Sequence, residues 1–279
     1  MAGQRAHDGG ITILSYHSID DHSTPLSVSP TLFRAQMHAL TEERCVALTM
    51  AQVVDHLREN RPFPRRAVAI TFDDGFANVL TEAAPVMARC GFVGTVYVIT
   101  GMVGRMTRWT DRGATLPSLP LLTWPQLAEL QERNFEIGAH SVTHGFLTQY
   151  TPDALQRELD ESRGAIEREL GTLAGTFAYP QGDYNRRVVA SVMSAGYATA
   201  VTVNQGRATL HSDPFTLPRL LVSNNTTPVM MKAFVAPTIG PAYKLINLVF
   251  KRILGRRRWP RRAPGEIDST GSEAMAAET

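Results

Sequence analysis

The chain has 279 residues, 43% of them hydrophobic, with 28 Lys and Arg against 26 Asp and Glu. This length and apolar content suit one large domain, or one domain with an extension, and exclude a disordered chain. The net charge of +2 hides an asymmetry: residues 214–265 carry ten of the basic residues and no acid, so an acidic body precedes a basic tail.

In chain order, "ITILSYH" (11–17) predicts a buried strand ending at a polar edge, and Ser29 followed by Pro30 marks a helix start. A strand at "CVALT", a helix over 50–60, the strand "AVAITF" and a helix over 77–89 follow. The strand "FVGTVYVI" leads into residues 100–122, whose Gly and Pro breakers predict a long irregular lid. Within it, Trp109 is expected to anchor the loop, with Arg105, Arg108 and Arg112 beside it. Next come a helix over 125–133, the strand "FEIGA", and a helix from Thr151 to Gly171 with Leu155, Leu159, Ile166 and Leu170 on one face. "GTFAY", a helix over 186–195, "YATAVTV" and "FTLPRLLV" complete about seven β/α pairs, which predicts an α/β fold with a mainly parallel sheet or barrel.

Cys45 and Cys90 lack C-x-x-C spacing, which argues against a zinc knuckle or a disulfide framework. No stretch of signal-peptide or membrane-span length is present, so the expected compartment is the cytoplasm.

Functional residues of parallel α/β folds gather at the carboxyl ends of the strands. That rule selects His17, Asp73 and Asp74, His140 with His144, and Tyr179 with Pro180. Two carboxylates and two imidazoles suit a divalent ion of the zinc type, for which three protein ligands and an open position are enough. Gly75 allows a bend that lets one acid bind metal while its neighbour faces bound water. Each fragment also has a plainer reading: Asp-Asp-Gly as a turn, His140 and His144 as a surface pair, His17 as a core histidine.

Together, "TFDDG" (71–75), "HSVTH" (140–144) and "FAYPQG" (177–182) resemble the first three motifs of the polysaccharide deacetylases with the NodB homology domain, carbohydrate esterase family 4. The resemblance covers residues 11 to about 222. "ILSYHSI" and "SPTLF" are similar to the branch of poly-N-acetylglucosamine deacetylases in which the barrel motifs are circularly permuted. The resemblance implies a distorted (β/α)7 barrel, a metal held by Asp74, His140 and His144, Asp73 as general base, and His17 as catalytic acid. The ion implied is divalent, zinc first, with cobalt, nickel or manganese as alternatives. It further implies an oxyanion site near the third motif, at Tyr179 and Pro180.

The reaction implied is hydrolysis of an N-acetyl group from an amino-sugar glycan or glycan precursor. A deacetylase or deformylase acting on a lipid-linked amino sugar is an alternative, as is a non-catalytic glycan-binding protein. Ala178 stands where the family has an arginine against the catalytic Asp, and Arg219 is the candidate replacement. His211 is the reserve candidate for the acid.

The expected catalytic domain is 1–225. Residues 226–265 would form a basic amphipathic extension with seven Lys and Arg between 251 and 262, suited to peripheral contact with the anionic inner membrane face through 241–262. Residues 266–279 are expected to be disordered.

Overall fold

The computed structural model describes residues 10–22, 24–107, 110–111, 114–115 and 117–236. The extension beyond 236, the tail, Arg108, Trp109 and Arg112 lie outside the described residues.

Strand β1 (Thr12–Tyr16) is buried along its whole length, and the run "TILSY" has the continuous apolar character of a strand covered on both faces. A short parallel pair, β2 (Ser18–Ile19) and β3 (Ser27–Val28), then leads to α1 (Pro30–Glu42). Ser29 accepts from the Leu32 N–H at its start, with Pro30 in the first turn. β4 (Val46–Leu48) and α2 (Met50–Arg58) follow, the helix opened by a reciprocal capping box between Thr49 and Gln52.

The second deeply buried strand, β5 (Ala67–Phe72), delivers the paired acids. The helix expected over 77–89 is not one regular α-helix. Residues Val79–Ala83 form a π turn in which the Ala84 N–H donates to the Val79 carbonyl, and only Ala84–Arg89 is α-helical (α3). Pro85 has no N–H for an i→i−4 bond, which accounts for the displaced ladder.

β6 (Thr95–Val98) precedes the segment expected as an irregular lid. That segment is instead a ribbon: Met106 bridges Pro120 antiparallel, and β7 (Thr110–Asp111) pairs antiparallel with β8 (Ala114–Thr115). α4 (Trp124–Glu132), β9 (Glu136–Ala139), α5 (Pro152–Leu170), β10 (Thr176–Ala178), α6 (Arg186–Ser194), β11 (Thr199–Val201), β12 (Leu220–Leu221) and α7 (Pro228–Phe234) complete the chain.

The strand order is β11-β10-β9-β6-β5-β1-β12, all parallel, with β4 beside the first half of β5. A parallel bridge from Val201 to Leu217 carries the chain leading into β12 against β11, so the sheet curls into the distorted (β/α)7 barrel expected from the motifs. Alternation divides the side chains between two cores. Ile13, Ala69, Tyr97, Ala178, Val201 and Leu217 fill the interior, whereas Leu14, Ile70, Val96, Ile137 and Phe177 pack outward under the helices. Gly138 is required by this interior, because a Cβ there would stand 2.7 Å from the Tyr97 ring and 2.6 Å from Thr176 Oγ1.

Glu136, at the start of β9, places an acidic group in the barrel interior. The Glu136 carboxylate accepts from the Ala51 N–H at the start of α2 (2.8 Å), Thr95 Oγ1 (2.9 Å) and Thr176 Oγ1 (2.7 Å). Burial still outweighs these donors and raises its pKa. In the window between the unfolded value, about 4.3, and this raised value, the folded state holds the proton and the unfolded state does not. Stability therefore falls as pH rises through that window. Denaturation midpoints measured across it are expected to show this loss in the wild type and a flatter profile in Glu136→Gln.

The boundary expected at 225 falls inside the folded unit. Met231, Phe234 and Val235 are buried, α7 packs on α1, and Thr12 Oγ1 donates to the Phe234 carbonyl at 2.7 Å. The barrel therefore continues through residue 236. Among the described residues no helix is long and apolar enough to cross a membrane.

Candidate active site

At the carboxyl end of the barrel the strand termini bring together His17, Asp73, Asp74, His140, His144 and Arg219. Asp73 follows β5 directly and its N–H is still held by the Tyr16 carbonyl at 2.9 Å, so its side chain keeps the inward phase of the strand. Asp74 breaks that phase. Its φ of 70° and the 74° of Gly75 are left-handed, and the turn swings the second carboxylate across the barrel mouth toward the histidines.

Asp74 Oδ1 lies 3.4 Å from His140 Nε2 and 3.3 Å from His144 Nε2, and all three ligand atoms fall within 4.8 Å of one another. Oδ1 is buried and has no hydrogen-bond partner. A tetrahedral ion with ligand bonds near 2.05 Å separates its donors by about 3.3 Å, so the two carboxylate-to-imidazole spacings match the edges of such a site. His140 is oriented from behind, its Nδ1 sitting 2.8 Å from the Ala178 carbonyl, which directs Nε2 at the site. The donor set and spacing fit a divalent ion of the zinc type.

Charge in this pocket is strongly coupled. Burial alone would raise the Asp74 pKa, but the two imidazoles more than reverse it and hold the carboxyl well below the usual range. For His140, burial acts downward, and the Asp74 and Asp73 carboxylates overcome it to leave the pKa raised. Burial dominates at His17 and lowers its pKa, only partly offset by Asp74 and Asp73.

Asp73 is engaged separately from Asp74. Arg219 donates through Nη1 to Oδ1 (2.7 Å) and through Nη2 to Oδ2 (2.8 Å), a bidentate pair with both residues buried. The guanidinium is completed by Nε to the Thr202 carbonyl (2.9 Å) and Nη1 to Thr71 Oγ1 (3.1 Å), and it lies over the Tyr97 ring at 5.8 Å. Burial would raise the Asp73 pKa, and this clamp lowers it instead. Asp73 Oδ2 also faces Ser15 Oγ at 3.4 Å and His17 Nε2 at 4.0 Å.

Three expectations about the site are corrected. The Tyr179 N–H donates to the Val201 carbonyl at 3.2 Å, so it belongs to the sheet rather than to an oxyanion site. The Tyr179 hydroxyl donates to the Phe215 carbonyl, and its ring stacks on Tyr184 in the outer core. Pro180 has no N–H to give. His211 is exposed at the opposite end of the barrel, close to Ala208, which pairs with Ile11 at the start of β1. At about 3.3 Å per residue, that is some 20 Å from His17.

The structure adds groups that the motifs do not include. Gly182 and Asp183 donate their N–H groups to the Tyr179 and Pro180 carbonyls, and Gln181 between them has a left-handed φ of 55°. Its side-chain amide donates to the His144 carbonyl at 3.3 Å. Glu158 of α5 reaches the turn between the two histidines. Its sequence signal is an acid set between Leu155 and Leu159 on the buried face of a helix. The returning side of the ribbon also grips the acidic turn, with Leu122 N–H on the Gly75 carbonyl (2.8 Å) and Ala77 N–H on the Pro120 carbonyl (2.9 Å).

Comparison with known proteins agrees with this geometry. The polysaccharide deacetylase family model matches residues 60–200, half of the chain. The chain belongs to the polysaccharide deacetylase family. It is thus a carbon–nitrogen hydrolase by family, and the matched span contains both acids and both site histidines but neither His17 nor Arg219. This deacetylase is similar to YxkH of Bacillus subtilis, 26% identical over 213 residues that cover 76% of this chain and 71% of that protein. It is 24% identical to the poly-beta-1,6-N-acetyl-D-glucosamine N-deacetylase of Staphylococcus epidermidis over 74% of this chain and 71% of that one. Among solved structures, the Streptococcus pyogenes deacetylase PplD in complex with acetate superposes with a TM-score of 0.72 at 26% identity, covering 82% of this deacetylase and 99% of PplD.

Proposed function

We propose that this chain is a metal-dependent de-N-acetylase of an N-acetylhexosamine-containing glycan, with β-1,6-linked N-acetylglucosamine polymer as the first substrate to test. The observation that carries the metal dependence is Asp74 Oδ1, buried without a hydrogen-bond partner and set at tetrahedral-edge distances from two imidazole nitrogens. The substrate class is supported by the Staphylococcus epidermidis relative, whose name states that polymer.

Asp74, His140 and His144 would hold the ion, and zinc suits them best, with cobalt, nickel or manganese as further candidates. A divalent ion there supplies Lewis acidity toward water and the amide carbonyl. Asp73, kept ionised by Arg219, is placed to accept the proton of the attacking water. The Gln181 N–H, in the left-handed turn of the third motif, would be the main-chain donor to the developing oxyanion. His17, across from Asp73, would act in its protonated form, which burial disfavours and the Asp74 and Asp73 carboxylates favour, giving its proton to the departing nitrogen so that the C–N bond breaks to acetate and a free amine. The absence of an arginine at Ala178 would favour a non-catalytic glycan-binding protein, but Arg219, from just before β12, brings a guanidinium to Asp73.

Zinc-loaded protein is expected to release acetate from β-1,6-linked N-acetylglucosamine oligomers. Asp73→Asn and His17→Ala should each retain zinc and lose about 100-fold or more in turnover. Acetate release unchanged in both variants would remove the acid–base assignment. Release from chitin oligomers or lipid-linked sugars alone would overturn the β-1,6 choice, and formate from formamido sugars would mark a deformylase.

A further inference from the structure

We propose that Glu158 is a positioning residue for the metal centre, fixing His144 relative to His140. The inference rests on the reading of Asp74, His140 and His144 as metal ligands.

The two histidines reach the site by different means. His140 comes straight off β9 and has its ring nitrogen on the Ala178 carbonyl, so the sheet fixes it. His144 sits four residues later, at the end of a turn in which Ser141 and His144 itself both have a φ of 61°. Neither is glycine. Residues in this sparsely populated region stay there only when their surroundings over-determine them.

Glu158 supplies the donor-side part of that constraint. Its Oε2 accepts from the Val142 N–H (2.9 Å) and the Thr143 N–H (3.0 Å), and its Oε1 accepts from Thr143 Oγ1 (2.8 Å). Two successive main-chain donors directed at one carboxylate form an anion-holding concavity, filled here by the protein's own side chain. The carboxylate is itself anchored, because Leu155 and Leu159 on the same helix are fully buried. Thr143 Oγ1 is shared with the Tyr150 hydroxyl at 2.9 Å, and Ser141 Oγ accepts the His144 N–H at 3.0 Å. The turn's carbonyls are held from other sides, Ser141 and Val142 by the Thr100 and Gly101 N–H groups (3.1 and 3.0 Å) and His144 by the Gln181 amide (3.3 Å), so removing the carboxylate frees specifically the Val142 and Thr143 donors next to His144.

The test is zinc affinity of the full chain by competition with a chromophoric chelator, alongside the thermal midpoint of the metal-free protein. Glu158→Gln is expected to weaken zinc binding about 10- to 100-fold, the range for groups that orient a ligand. Thr143→Val removes one of the three bonds without changing charge, and should give a smaller loss with a metal-free midpoint close to wild type. Such a loss in Thr143→Val also separates positioning from the long-range attraction of the Glu158 charge. Wild-type affinity in both variants, with only the midpoint lowered, would make Glu158 a structural strut and overturn the inference. Wild-type protein that binds no zinc would overturn the metal-centre reading itself.

Discussion

Replacing Arg219 by methionine is expected to cost about 3–5 kcal/mol of stability, the penalty for leaving a buried carboxylate without its partner. Both Asp73 oxygens depend on this guanidinium, and both residues are buried. Turnover should fall by about two to four orders of magnitude as the base loses its orientation. The sign of the pH effect is set by the clamp: Arg219 lowers the Asp73 pKa, so its removal raises that pKa. The acid limb of any residual activity then moves to higher pH. Adding Asp73→Asn to Arg219→Met removes the stranded charge and should restore part of the lost stability, with no return of turnover. Chemical denaturation and acetate release measure the two effects separately. A single variant as stable as wild type would contradict the buried-pair account.

His140→Ala is expected to abolish zinc retention and turnover together. The loss should exceed the 10- to 100-fold range associated with an outer partner, since a ligand itself is removed. His140 is also the ligand whose Nδ1 is tied to the Ala178 carbonyl, so its removal deletes the ligand that the sheet itself orients. Inductively coupled plasma analysis of the purified variant, with acetate release at saturating zinc, checks both halves. Zinc retained at one equivalent would remove His140 from the ligand set.

Much of this site was readable before the fold because its chemistry sits at strand ends, where short motifs and structure coincide. "TFDDG" and "HSVTH" each place their residues within a few positions of a strand terminus, and the parallel topology brings the termini together. Arg219 is legible for another reason, as a lone cation just before the last strand, whose long side chain reaches Asp73 from that strand's amino end. Tyr179 was misread because β10 continues its ladder one residue past Ala178, and whether an N–H is spent on the next strand depends on a partner 22 residues away. Glu158 was passed over because an acid on a helix ordinarily reads as a solvated face. In the ribbon, Gly and Pro punctuation resembled an irregular loop, while the pairing of Met106 with Pro120 left no local periodicity to detect.

That ribbon divides the chain unevenly for anyone wishing to re-engineer it. Residues 120–122 are bonded to the backbone of Gly75, Phe76 and Ala77, and residues 104–107 are bonded in turn to 119–122, so both arms share a frame with the turn that aims Asp74. Residues 108–116 lie between those two arms. Exchanging this inner stretch for one of another length would leave the frame's own hydrogen bonds in place, whereas cutting at either arm would release the acidic turn. The inner stretch is therefore the natural graft point, with the splice made beyond Thr107 and before Pro117.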